Sequence, residues 1–181
     1  MELQHEKYFL EITDNDTICL HRFYTQKGKN SPVFMLHGAM ENSKIFHSKS
    51  KKGFAPFLAK NGYDVFALDM RGKGESFPKV SKQNKQTQTD QILQDIPLCL
   101  KKMTTLTGKD SFHFVGHSWG GVLLLSFLAR FPKTKVKSAV FFGSKRRVSV
   151  ITFRRIFYID LMWNVVGNIW GNLKGYVPFT K

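Results

Sequence analysis

A Gly-x-Ser-x-Gly pentad at residues 116–120 separates two apolar runs, 112–115 and 122–128, and it restricts the fold more than any other feature of the sequence. Between a strand and a helix, such a pentad places its serine on a sharp turn with the hydroxyl clear of the sheet. The N–H of the next residue can then face an oxyanion that develops during a reaction. The pattern therefore predicts a strand–turn–helix unit that presents Ser118 for nucleophilic chemistry.

The rest of the pattern alternates short apolar runs with segments of helical spacing. Strands are predicted at 7–13, 17–24, 32–36, 63–69, 112–115 and 136–143, and helices at 54–60, 90–107 and 122–131. The first two strands, joined by a turn at 14–16, are expected to form an antiparallel edge. Pro97 lies inside a predicted helix and is expected to shift its start or kink it. The alternation predicts an α/β fold with a mostly parallel sheet and helices on both faces.

Three motifs in this order resemble the α/β-hydrolase superfamily, over nearly all of residues 5–145. They are His37-Gly38-Ala39, similar to the oxyanion loop; Asp69-x-Arg71-Gly72-x-Gly74-x-Ser76, similar to the turn after the fourth strand; and Gly116-x-Ser118-x-Gly120, similar to the nucleophile elbow. The chain looks closest to the lipase, esterase and acylglycerol-hydrolase branch of the Abhydrolase-1 type. The resemblance implies a serine esterase whose substrate is a small-molecule acyl ester or a lipid-like molecule, with no cofactor.

Carried over residue by residue, the resemblance makes Ser118 the nucleophile and the N–H groups of Ala39 and Trp119 the oxyanion-hole donors. Met40 is a weaker alternative donor. The resemblance gives structural roles to His37, Gly38, Gly116 and Gly120, and it has Asp69 capping the turn and bracing it through Arg71.

The remaining members of a catalytic triad are missing from the sequence. The superfamily order is Ser, then Asp or Glu, then His, yet no histidine follows His117 and the only later carboxylate is Asp160. None of the six histidines is a convincing substitute base: His47, expected in a mobile polar loop, could approach the serine, whereas His117 is poorly placed beside it. We therefore expect a C-terminally truncated hydrolase, inactive or weakly active, whose sheet a complementing C-terminal chain would complete.

Residues 148–181 differ from the core at 1–147, and the resemblance places a lid or cap here. The segment is aromatic and apolar, but charged residues divide it into apolar runs that are shorter than the ~18 residues a membrane-spanning helix requires. Phe157, Trp163 and Trp170 would suit contact with an acyl chain. A basic amphipathic helix on a membrane surface, or core helices without a ligand role, are the alternatives.

The formal net charge of +15 lies in clusters of Lys and Arg. Such clusters are typical of solvated loops, or of weak contact with an anionic membrane surface; no nucleic-acid motif accompanies them, so no nucleic-acid partner is expected.

Cys19 and Cys99 do not indicate a disulfide framework, and no linear spacing of ligands indicates a metal. No signal peptide is visible, so a cytoplasmic location is expected.

Three hypotheses remain open on the sequence. The first is a truncated serine hydrolase of the lipase/esterase type. The second is a non-catalytic module that keeps the pocket and binds an acyl or lipid-like ligand or a partner, and the third is an active hydrolase with a non-standard base.

Overall fold

Six strands form one mixed sheet in the computed structural model, which describes residues 2–26, 31–81, 87–145, 151–167 and 169. The strands are β1 (Gln4–Thr13), β2 (Asp16–Tyr24), β3 (Val33–Leu36), β4 (Val65–Asp69), β5 (Ser111–His117) and β6 (Lys135–Phe142). Their order across the sheet is β1-β2-β4-β3-β5-β6. β1 pairs antiparallel with β2 and β2 with β4, whereas the neighbours β4, β3, β5 and β6 run parallel. The predicted fold class is confirmed.

Alternation along the central strands supplies two separate cores, one on each face of the sheet. In β3, Phe34 and Leu36 belong to one apolar cluster, while Val33 and Met35 belong to the other. Because successive side chains of a strand point to opposite faces, a strand that is apolar throughout is buried on both faces.

Helices cover the two faces. α1 (Phe54–Lys60) contributes Ala55 and Ala59 to one core. The opposite core receives residues from α3 (Ile96–Thr107) and α4 (Trp119–Arg130). A short 3₁₀ helix (Ser43–Ile45) lies in the connection between β3 and α1.

The helix around Pro97 begins in an unusual way. α2 (Gln88–Asp90) starts in a capping box between Thr87 and Asp90, and a π-helical segment (Gln91–Asp95) joins it to α3. Pro97 is the second residue of α3 and directly follows the π-helical segment, so its missing N–H interrupts the hydrogen bonds of a continuous helix. The expected disturbance at Pro97 thus takes the form of a π-helical segment before it.

β6 forms one edge of the sheet in the described residues and is exposed along most of its length, with Val140 53% exposed. Beyond it, α5 (Phe153–Arg155) continues into a π-helix (Ile156–Gly167). The described side chains of both, such as Phe153 and Ile156, are largely exposed. Trp170 and the side chains of Asp160 and Trp163, which carried sequence-based predictions, lie outside the described residues. Within the described part of the chain, no helix is both long enough and apolar enough to cross a membrane.

Candidate active site

Ser118 occupies the turn between β5 and α4 in a strained backbone conformation. Its φ of 50° and ψ of −118° fall where residues other than glycine are uncommon. The Ser118 N–H donates to the carbonyl of Phe142 at 2.9 Å, which ties the turn to the end of β6. A strained conformation held by its surroundings is typical of functional sites, and it leaves the Ser118 side chain partly exposed at the end of the sheet.

Close approach of helix and strand explains the glycines of the pentad. A Cβ at Gly120 would lie 2.3 Å from the Leu36 carbonyl oxygen and 2.4 Å from that of His37. A Cβ at Gly116 would lie 2.5 Å from Gly121 Cα. The start of α4 therefore packs directly on the ends of β3 and β5, and only glycine fits at these two contacts.

The loop after β3 lies against the serine. A Cβ placed on Gly38 would be 3.2 Å from Ser118 Cβ. The Glu41 N–H donates to the Gly38 carbonyl at 3.3 Å, which closes a turn with Ala39 and Met40 at its centre. That hydrogen bond uses neither of the two central N–H groups. Ala39 and Met40 are exposed, and Trp119 is the first residue of α4, where a backbone N–H lacks an intrahelical acceptor.

Glu41 joins this loop to the elbow, a role that its sequence context did not indicate. Its Oε2 accepts the Gly38 N–H at 2.9 Å and lies 2.7 Å from Nδ1 of His117. Glu41 and His117 are each about one-third exposed. An acidic residue three positions after His37-Gly38 was the only available signal, and it is a weak one.

His37 links the same loop to the turn after β4. It is fully buried; its Nε2 accepts the Met70 N–H at 3.1 Å, and its Nδ1 lies 2.7 Å from the Gly38 carbonyl oxygen. With Nε2 accepting, Nδ1 carries the proton and donates to Gly38. Burial lowers the pKa of His37, so the neutral ring holds this geometry at pH 7.

Asp69 braces the turn, but not through Arg71. Its carboxylate accepts the N–H groups of Ser43 and Glu75, both at 2.7 Å, and contacts His21 Nε2 at 3.1 Å. Although burial raises it, the hydrogen bonds from His21 and from these two N–H groups hold the pKa of Asp69 well below its ordinary value.

Arg71 pairs instead with Asp95. Its Nε lies 2.9 Å from Oδ1 and 2.8 Å from Oδ2 of that carboxylate, and its guanidinium also donates to Gln94. The expectation that Asp69 acts through Arg71 was therefore wrong. Arg71 attaches the turn after β4 to the π-helical segment, a partner 24 residues further along the chain.

An open cavity of about 340 Å³ adjoins the elbow. Its lining residues are Ile45, Phe46, Phe54, His117 and Phe142. His117 precedes Ser118, and the Phe142 carbonyl accepts the Ser118 N–H, so the cavity lies next to the serine. An aromatic and aliphatic lining suits a hydrocarbon chain better than a charged ligand.

Among the residues that the structure describes, no histidine hydrogen-bonds to the Ser118 hydroxyl. The expectation that His47 lies in a mobile polar loop was wrong: the side chain is 8% exposed and packs beside Phe23 and His21. His113 bonds Ser138 at 2.7 Å. Aromatic packing with β2, which the local sequence does not reveal, fixes His47.

The chain belongs to the alpha/beta hydrolase fold family, which residues 31–165 match. It is 35% identical over 150 residues to "Probable lipase C14C8.15" of Schizosaccharomyces pombe, covering 75% of this chain and 32% of that protein. It is 29% identical over 139 residues to "Lipase lipl-3" of Caenorhabditis elegans, covering 68% and 34% of the two chains. The chain therefore spans about a third of the length of these curated relatives.

A solved structure from Sulfolobus solfataricus shares the fold with a TM-score of 0.65 at 20% identity, covering 83% of this chain and 47% of that one. A second, an alpha/beta hydrolase from Novosphingobium aromaticivorans, gives a TM-score of 0.58 at 21% identity, covering 76% and 43%. At these identities the likeness concerns the fold alone.

Proposed function

We propose that the chain carries the nucleophile and oxyanion-hole part of a serine hydrolase that cleaves carboxylic esters of lipid-like acyl groups. The observation that carries the proposal is Ser118, held at φ 50° between β5 and α4 beside Gly38. A serine on such a turn can attack an ester carbonyl from above the sheet. The lipase names of the two relatives support an ester or lipid-like substrate.

In this proposal, the N–H groups of Ala39 and Trp119 stabilise the tetrahedral oxyanion, with Met40 as a weaker alternative donor. The loop turn leaves the Ala39 and Met40 N–H groups unused, and Trp119 begins α4. Preorganised N–H donors stabilise such a charge because they need no reorientation during the reaction. Glu41 and His37 position the loop, through Gly38 and the turn after β4.

The cavity beside the elbow would receive the acyl chain. Residues 148–181 would act as a lid over the core at 1–147, since the exposed apolar side chains of the Phe153–Gly167 region offer a surface to a hydrocarbon chain. Phe157, about 39% exposed, is one of them.

A serine hydroxyl is a weak nucleophile until a base takes its proton, and among the described residues no histidine hydrogen-bonds to the Ser118 hydroxyl. In the described residues, His117 Nδ1 is engaged with Glu41. We infer that a complementing chain, paired with the exposed edge of β6, supplies the base for Ser118. The 181-residue chain alone then hydrolyses esters slowly, because it has only its oxyanion donors.

Chemical rescue tests the assignment. Added imidazole can take the Ser118 proton, so it should accelerate hydrolysis of p-nitrophenyl butyrate by the purified chain well above the imidazole background. Ser118→Ala should abolish the protein-dependent increase, while Ser126→Ala, a serine on α4, should retain it. Equal rescue in wild type and Ser118→Ala would contradict the nucleophile assignment.

The second candidate function is a non-catalytic module that binds an acyl or lipid-like ligand, and the apolar cavity favours it. Such a module would bind a fluorescent fatty acid with the same affinity in wild type and Ser118→Ala, and it would show no imidazole rescue. Rescue that depends on Ser118 would exclude it as the sole function.

A further inference from the structure

A second group of ionisable side chains lies on other elements than Ser118, where β2 meets the end of β4. Cys19 and His21 are two residues apart on β2, so their side chains point to the same face. Asp69, the last residue of β4, is opposite Cys19 in the strand register. All three are buried, with exposed fractions of 0%, 2% and 1%.

We propose that Cys19, His21 and Asp69 bind a zinc ion. Cys19 Sγ lies 3.5 Å from His21 Nε2, and His21 Nε2 lies 3.1 Å from Asp69 Oδ2. The three ligand atoms all lie within 4.8 Å of one another. A single ion with a bond of about 2.3 Å to sulfur and about 2.0–2.2 Å to nitrogen and oxygen can span these separations. One thiolate, one imidazole and one carboxylate form a ligand set that suits zinc better than magnesium or calcium.

Charge balance supports the assignment. Zinc carries two positive charges, and the Cys19 thiolate and the Asp69 carboxylate supply two negative charges, so the buried site becomes neutral. On binding, the Cys19 thiol proton goes to solvent, and a neutral His21 gives up its Nε2 proton and takes one at Nδ1, so that the ion replaces the hydrogen bond between His21 Nε2 and Asp69. Asp69 keeps its bonds from the Ser43 and Glu75 N–H groups, which hold the carboxylate in place.

His5 has the position of an outer partner for the metal-bound imidazole. Its Nε2 lies 3.1 Å from Nδ1 of His21. A neutral His5 ring can accept at Nε2 the Nδ1 proton of a His21 that binds metal through its own Nε2. Metal-binding histidines commonly donate their second N–H in this way, which fixes the ring.

His47 adds a buried polar group beside this cluster. Its ring centroid lies 5.0 Å from that of His21, and its buried Nδ1 has no hydrogen-bond partner among the described residues. A buried imidazole nitrogen without a partner is costly. A water molecule on the fourth position of the ion would give this part of the cluster a polar partner.

The linear sequence did not indicate this site because its ligands come from two strands 48 residues apart. The ion would fasten β2 to the turn after β4, which also contacts the oxyanion loop through His37. The site is therefore structural in character and independent of chemistry at Ser118.

Cobalt and zinc binding by the full chain test the proposal. Co²⁺ added to the metal-free protein should bind one equivalent and give a sulfur-to-cobalt charge-transfer band, which Zn²⁺ should remove by displacement. Cys19→Ala should abolish the band. Cys99→Ala, which removes the other buried cysteine from α3, is the matched control and should keep it. Retention of the band in Cys19→Ala, or its absence in wild type, would overturn the assignment.

Three further measurements keep the test decisive where Cys19→Ala fails to fold. Zinc-edge X-ray absorption on the wild-type protein should show one sulfur at about 2.3 Å with nitrogen and oxygen ligands at about 2.0–2.2 Å; a shell without sulfur would refute the site. His5→Gln should weaken zinc binding about 10- to 100-fold with the sulfur ligand retained, and an unchanged affinity would refute its role. Ser118→Ala should bind zinc as wild type does, which separates this proposal from the hydrolase proposal.

Discussion

Gly120→Ala is expected to destabilise the protein strongly, because the new Cβ meets backbone and not a movable side chain. It would lie 2.3 and 2.4 Å from two carbonyl oxygens at the end of β3, about 1 Å closer than such atoms normally approach. The helix α4 must then move away from β3 across the core that both elements share. Overpacking of this kind costs about 1–3 kcal/mol, and we expect the upper end of that range because both contacts are with backbone atoms.

The matched control is Gly108→Ala, at the C-terminal end of α3. Gly108 has a φ of 68°, and an added Cβ there meets no atom within 4 Å. Only backbone strain of about 1–2 kcal/mol is expected. Urea unfolding followed by circular dichroism should therefore give Gly120→Ala the lower midpoint, and a loss of about 3 kcal/mol would lower Tm by roughly 6–12 °C. If Gly120→Ala proved as stable as Gly108→Ala, the packing of α4 on β3 described above would be wrong.

Three further predictions concern charge. Arg22→Met should lower the free energy of unfolding, measured with urea, by about 3–5 kcal/mol, because it leaves the buried Asp64 carboxylate unpaired. The double variant Arg22→Met with Asp64→Leu should recover much of that loss, and no recovery would contradict the argument. The depressed pKa of Asp69 should add stability that is present above its ordinary value of about 3.9 and is lost as the pH falls below it. In metal-free buffer, Asp69→Asn should therefore lose less stability than wild type between pH 5 and 2.5, and equal losses would refute this. Binding to anionic lipid vesicles should weaken on addition of salt and with Arg154→Glu, whose side chain is exposed; binding that responds to neither would count against a membrane-surface contact.

The sequence predicted the sheet well because its central strands are buried on both faces. A short run such as 32–36, in which every side chain is apolar, is typical of a strand that is buried on both faces. The observed β3 (Val33–Leu36) lies within it. The helix predicted at 54–60 is also confirmed, since α1 has the same bounds. Glycines that pack against backbone also leave a local signal, as at Gly116 and Gly120.

The polar contacts around the candidate site could not be predicted, since each depends on partners far apart in the sequence. Arg71 pairs with Asp95 only because the π-helical segment brings that carboxylate to the turn. Glu41 reaches His117, 76 residues away, and His47 is buried by rings from β2. Local spacing carries no information on such contacts, so a residue's chemistry could be read from the sequence more easily than its partner.

The most direct test of the central claim is active-site labelling with a fluorophosphonate in the presence of imidazole, followed by mass spectrometry of the tryptic peptide 110–130. That peptide contains Ser111, Ser118 and Ser126, so fragmentation identifies the labelled serine. We predict one phosphonyl adduct, on Ser118, formed by displacement of fluoride. No adduct, an adduct on another serine, or an adduct that persists in Ser118→Ala would contradict the assignment of Ser118 as the nucleophile.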